Sequence, residues 1–214
     1  MRPATHWRPA QGEPTVTALL RHGQTPMSVQ KRYAGRTDAP LTEVGVQQAA
    51  AAAKRLASAS LGVIVTSPLL RTVQTAQAVA AVTGAAVVTD DGFRETDFGA
   101  WEGLTFAEVR ERWPAEMSAW LADPEVAPPG GESFTDVSAR VTEALDRVLA
   151  ARAGQTVLIV SHVTPIKMLV TAALLAPPAA LYRMHLDVAA LCEIDWYADG
   201  PAVLRSFNDT SHLS

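Results

Sequence analysis

Two periodicities alternate along this chain. Short apolar runs rich in β-branched residues, TVTALL (15–20), GVIVTS (62–67), AAVVTD (85–90) and TVLIVS (156–161), read as strands. Segments of helical composition lie between them. LTEVGVQQAAAAAKRLASAS (41–60) has Thr42 placed as N-cap, and PLLRTVQTAQAVAAVTG (68–84) is closed by Gly84. SFTDVSARVTEALDRVLAARAG (133–154) opens on Ser133 and Asp136 at capping-box spacing, and TPIKMLVTAALLA (164–176) stops before Pro177 and Pro178. AALCEIDWY (189–197) and AVLRSFN (202–208) close the chain as strands, while residues 91–132 read as irregular and nothing repeats. Strands alternating with helices predict a mainly parallel sheet covered on both faces, a three-layer α/β/α sandwich.

Composition narrows the picture without changing it. With 214 residues, 48% hydrophobic content and a formal charge of -4, the chain fits one globular domain, neither fibrous nor disordered. Its basic residues are scattered, so it shows no electrostatic footprint for nucleic acid or an anionic membrane. The single cysteine, Cys192, sits in an apolar run, which excludes an intramolecular disulfide framework and makes a reducing, cytoplasmic setting the expectation. No stretch reaches the length of a membrane span. The Pro-rich start, residues 1–14, reads as a linker before a domain over 15–214.

In a sheet of this kind ligands bind beyond the carboxyl ends of the strands, so the residues just after each strand carry the chemistry. The first strand delivers Arg21, His22 and Gly23, the second leads to Arg71, and the fourth delivers Ser161 and His162. Ser67-Pro68 and Thr164-Pro165 have the form of N-cap and first-turn pairs, which would aim two helix N-termini at the same edge. Two arginines, two histidines and two helix starts together suit a tetrahedral dianion, with phosphate the leading candidate. Neighbouring positive charge disfavours an imidazolium, so a neutral His22 is a candidate nucleophile. Glu95, Asp97 and Glu102 are the candidate proton donors, and the spacing alone does not choose among them. There is no His/Cys cluster with metal-ligand spacing and no G-x-G-x-x-G turn of a nucleotide-binding oxidoreductase.

Arg21-His22-Gly23, SPLLRTVQTA, FRETDFGAWEG, PGGES and VSH occur in the order and approximate spacing of the histidine phosphatase, or phosphoglycerate mutase-like, superfamily, and the chain resembles it from Val16 to Asn208. The resemblance implies that His22 is phosphorylated, that Arg21, Arg71 and His162 hold the phosphoryl group, and that Glu95 is the general acid and base. It further implies that Gln24, Thr25 and the YAGRTDAPLT loop around Gly35 and Arg36 line the substrate side. Two positions depart from the pattern. Ser28 stands where many relatives have asparagine, offering a hydroxyl for an amide, and Val163 stands where many have glycine, its backbone N–H remaining available to phosphate. The pattern is most similar to the α-ribazole phosphatase-like branch and to the acid phosphatase half of actinobacterial bifunctional ribonuclease H/acid phosphatase proteins. That implies a metal-independent phosphomonoesterase, without a cofactor, acting on a small metabolite such as α-ribazole 5′-phosphate. A covalently linked N-terminal ribonuclease H domain is the implied partner. A phosphoglycerate mutase-type phosphotransferase and a non-catalytic phosphate-binding module are the alternatives.

Overall fold

A computed structural model of the protein describes residues 10–214, so most of the expected linker lies outside the described residues. In chain order the elements are β1 (Thr15–Arg21), the single turn α1 (Pro26–Val29), α2 (Glu43–Leu56), β2 (Leu61–Thr66), α3 (Leu70–Thr83) and β3 (Val87–Thr89). They continue with α4 (Phe106–Arg112), α5 (Pro114–Ala122), α6 (Phe134–Ala151), β4 (Thr156–Ser161), α7 (Val163–Ala173), β5 (Leu191–Trp196) and β6 (Ala202–Asp209). The six-stranded sheet runs β3-β2-β4-β1-β5-β6. Its first four strands are mutually parallel, while β5 pairs antiparallel with both β1 and β6. The α/β sandwich expected from the periodicity is the architecture observed, with an antiparallel margin added by the last two strands.

Alternation along the central strands separates two cores. Leu20, Ile64, Leu158 and Val160 face α2 and α3, whose inward stripes are the small residues Ala52, Ala53, Ala76 and Val79. On the opposite face Leu19, Val65 and Ile159 pack under α6 and α7, together with the large rings Phe93, Trp101, Trp120 and Phe134. Cys192 is buried and free in β5, and burial pushes its thiol up to about 11.

Strand register places the site. Arg21 pairs with Ser161 across β1 and β4, and Thr66 pairs with Val160 across β2 and β4, so three strands end at one level. His22 and His162 therefore emerge side by side, with ring centroids 5.1 Å apart.

Helix starts are where the sequence reading shifts. Thr42, Ser133 and Gly84 cap their helices as expected. Ser67 does not cap α3, which begins at Leu70 with Leu69 at the N-cap position, because its hydroxyl pairs with His162. The Leu70 N–H is instead held by Asp38 at 2.6 Å. Likewise α7 begins one residue before Thr164, with His162 in the N-cap position. Residues 91–132, read as irregular, contain α4 and α5. Both carried signals: Thr105 and Glu108 form a capping box, and Pro114 opens α5 in its first turn.

Candidate active site

Gly23 lets the chain leave β1 close to α2: a Cβ there would strike the backbone carbonyl of Gly45. With that turn fixed, His22 is buried, and its Nδ1 lies 2.7 Å from the carbonyl oxygen of Gly23. A carbonyl only accepts, so Nδ1 carries the proton and the neutral ring keeps its lone pair on Nε2. Burial, then the charges of Arg21 and Arg71, hold this imidazole well below its usual pKa. Desolvation thus outweighs the neighbouring positive charge expected from the sequence.

Arg21 donates from Nη1 to the Leu186 carbonyl at 2.6 Å, while its buried Nε has no partner. Burial lowers it to about 10, opposed by Glu95 and Asp187, so it remains a cation at neutral pH. Arg71 is also buried and ties several pieces together. Its Nη1 donates to Thr37 O at 2.7 Å, and Nη2 donates to Ala34 O and Gly35 O at 2.8 and 3.1 Å. Its Nε donates to His162 Nδ1 at 3.2 Å, and His162 Nε2 then donates to Ser67 Oγ at 2.8 Å. His162 is thus the opposite tautomer from His22, with both ring nitrogens engaged. Burial, then Arg71, lowers its pKa well below the usual value.

Of the three carboxylates left open by spacing, only Glu95 reaches the cavity that His22 lines. Its Oε2 accepts from Val163 N at 3.1 Å, and its Oε1 accepts from Thr164 N at 3.3 Å and its own neighbour Thr96 N at 2.8 Å. The side chain caps the positive end of α7. Arg140 fixes its backbone: Nη2 donates to Glu95 O at 3.1 Å and Nη1 to Gly92 O and Arg94 O, while Glu132 holds Arg140 in a two-pronged ion pair. Asp97 instead accepts from Gly99 N and pairs with Arg36 at 2.7 Å. Glu102 accepts from the N–H groups of Gly35, Arg36 and Thr37 and from the Thr37 hydroxyl. That staple for the 34–37 loop was not foreseen, although a glutamate near a glycine-turned loop was visible.

The remaining expected contacts divide. Thr25 and Ser28 line the cavity but are paired in the capping box of α1, where Ser28 Oγ donates to Thr25 O at 2.8 Å and accepts from Thr25 N at 2.9 Å. Ser28 has no proton left to offer an anion in this arrangement. Val163 lines the cavity too, yet its N–H is taken by Glu95. Gln24 turns to α2, accepting from the Thr42 hydroxyl at 2.9 Å. Gly35 supplies a carbonyl to Arg71, and the Arg36 side chain lies 72% exposed against Asp97, so neither places a side chain in the cavity.

The cavity holds about 400 Å³ and has a second wall that the sequence did not announce. Tyr33 lies tilted against Phe98 at 4.8 Å and stands edge-on to Trp120 at 6.2 Å; Trp120 meets Phe134 at 5.0 Å, and Phe134 meets Tyr182 at 5.9 Å. The Tyr182 hydroxyl donates to Trp120 O at 2.8 Å.

Known proteins share this outline. The model of the histidine phosphatase superfamily (branch 1) matches residues 17–210. Bifunctional protein Rv2228c of Mycobacterium tuberculosis is 51% identical over 97% of this chain and 57% of its own length. The chain therefore spans little more than half of such relatives. A probable phosphoglycerate mutase of Yersinia pestis is 34% identical, covering 91% of this chain and 93% of its own. Among solved structures, mycobacterial glucosyl-3-phosphoglycerate phosphatase in complex with VO3 superposes with a TM-score of 0.85 at 32% identity, over 92% of this chain and all of that one.

Proposed function

The chain belongs to the histidine phosphatase superfamily, and from that premise we propose that it is a phosphomonoesterase working through phosphohistidine at His22. The observation that carries the reading is the tautomer of His22: Nδ1–H is spent on Gly23 O, which leaves an unprotonated Nε2 in a cavity shared with Arg21, Arg71 and Glu95. In the first step Nε2 attacks phosphorus, the bond to the ester oxygen breaks, and Glu95 gives that oxygen a proton. Arg21 and Arg71 neutralise charge on the equatorial oxygens. In the second step water attacks phosphohistidine, Glu95 takes a proton from the water, and phosphate leaves with His22 restored.

Both oxygens of Glu95 are acceptors before substrate enters. The proton that Glu95 passes to the leaving oxygen therefore enters with the substrate, bound as its monoanion. His162 is outside the cavity lining, with both ring nitrogens engaged, so its part in holding the phosphoryl group runs through Arg71, from whose Nε it accepts while Ser67 fixes its other nitrogen. Hydrolysis ranks above mutase transfer because the cavity's other cation, Arg32, has its charge paired with Glu108 at 3.0 Å. The bifunctional relative supports a second domain beside this one in the whole protein, and the sequence resemblance makes ribonuclease H the candidate. The test is phosphate release from p-nitrophenyl phosphate with and without EDTA, with quenched enzyme examined for acid-labile phosphate. Label on any residue other than His22, or turnover that EDTA abolishes, defeats the assignment.

A further inference from the structure

Resting on the phosphomonoesterase reading, we infer that the alcohol accepted by this site is apolar and ring-bearing and carries no second anionic group. Three observations carry the inference. The cavity, at about 400 Å³, has room well beyond a phosphoryl group and falls within the roughly 300–1,000 Å³ of small-molecule sites. Its wall away from Arg21, Arg71 and Glu95 is a continuous set of rings from Tyr33 through Trp120 and Phe134 to Tyr182. Phe106, Leu121 and Tyr182, which line the cavity and remain 44%, 43% and 37% exposed, extend that apolar surface to the mouth.

Polar recognition is scarce on the same wall. Sugar hydroxyls need several free donors and acceptors, yet the Ser28 hydroxyl is spent between Thr25 O and Thr25 N, and the Tyr182 hydroxyl serves Trp120 O. A carboxylate or second phosphate needs an unpaired cation, and Arg32 is held by Glu108 and by Gly103 O at 2.7 Å. Burial pushes the Tyr33 phenol up to about 12, so it supplies no charge either. An aromatic body gains area and ring contacts on this wall that a polyhydroxylated or acidic one forfeits.

Binding and turnover are read separately so that this inference and the phosphatase reading fail independently. Calorimetry compares 3-phenylpropylphosphonate with 3-phosphonopropionate, neither of which can be hydrolysed. The phenyl compound is expected to bind at least about tenfold more tightly. Turnover compares 2-phenylethyl phosphate with 3-phosphoglycerate and glucose 6-phosphate, with the same preference expected in kcat/KM. Phe106→Ser with Leu121→Ser, at exposed positions where folding is checked by circular dichroism, should erase the preference. Equal or tighter binding of 3-phosphonopropionate, or full preference retained in the double variant, overturns the inference whatever the turnover. Selective phosphonate binding without hydrolysis of any ester sustains the inference and overturns the phosphatase reading.

Discussion

The two ends of one cavity are built on different principles. At the phosphate end, Arg21, His22 and His162 emerge at strand termini held in register by backbone hydrogen bonding, and Arg71 joins them from the first turn of α3. At the far end, large rings are contributed by the loop before α2, by the segment carrying α5, by the start of α6 and by the turn after α7, and their positions are set by packing. The difference assigns the two halves different jobs. A site fixed by the ladder suits a reaction common to every ester, whereas a wall fixed by side-chain packing suits discrimination among the groups esterified.

Breaking the phosphate end at its centre should affect every substrate alike. His22→Ala removes the covalent path, and turnover is expected to fall by about 10⁶ on all esters, the scale seen when an enzymatic nucleophile is deleted. Steady-state assays on an aromatic and a polar ester check this. A loss confined to one of them would make His22 a specificity residue and dissolve the distinction.

Next in size is Glu95→Gln, expected to cost about 10²–10⁴ on alkyl esters, whose alkoxides need a proton, and much less on p-nitrophenyl phosphate. The amide also keeps an acceptor near the α7 N–H groups, so the fold should hold. An equal loss on both esters would place Glu95 in structure alone. The same experiment on Glu102→Gln should perturb the 34–37 loop without that leaving-group dependence, since Glu102 is committed to backbone N–H groups there.

Legibility in the sequence divides along the same line as the architecture. Arg21, His22, Arg71 and His162 could be read because strands announce themselves by β-branched runs and deliver the residues just beyond them to one sheet edge. Glu95 was reached only by resemblance, because nothing in DDGFRETDFGAWEGLTF distinguishes a carboxylate facing the cavity from Asp97 or Glu102, which bind backbone and Arg36. The Ser67 cap failed since its hydroxyl is claimed by His162, a partner from a strand far along the chain. Trp120 and Tyr182 are far apart in sequence and meet only after α5 and the turn after α7 fold against α6, so no local pattern could have joined them.

A smaller effect tests the electrostatics of the phosphate end. Burial holds the His22 and His162 imidazoles well below the ordinary value of 6.5. Below pH 6.5 the unfolded chain takes up protons that these two folded rings refuse, so stability is intact above that pH and falls as the medium is acidified. The slope from the pair is at most about 2.7 kcal/mol per pH unit. Urea unfolding between pH 5 and 7 measures it, and His22→Gln should roughly halve the slope. Added orthophosphate should flatten it, because the dianion favours the protonated rings. A stability flat across this range would mean that the histidines are solvated and the site is not the dry, cationic end described.

The smallest effect concerns the wall, and there the expectation is nearly the reverse. Tyr182→Phe deletes the hydroxyl that donates to Trp120 O but leaves the ring that meets Phe134 and shapes the mouth. The net cost of one such hydrogen bond is about 0.5–1.5 kcal/mol of stability. Because the wall works by area rather than by donated protons, any kinetic change should lie in KM for ring-bearing esters, with little effect on kcat. Thermal melts and a KM-against-kcat split separate the two quantities. A uniform fall in kcat across all esters would show that the Tyr182 hydroxyl is coupled to the phosphoryl chemistry, and the wall could no longer be treated as a separate device from the cationic end.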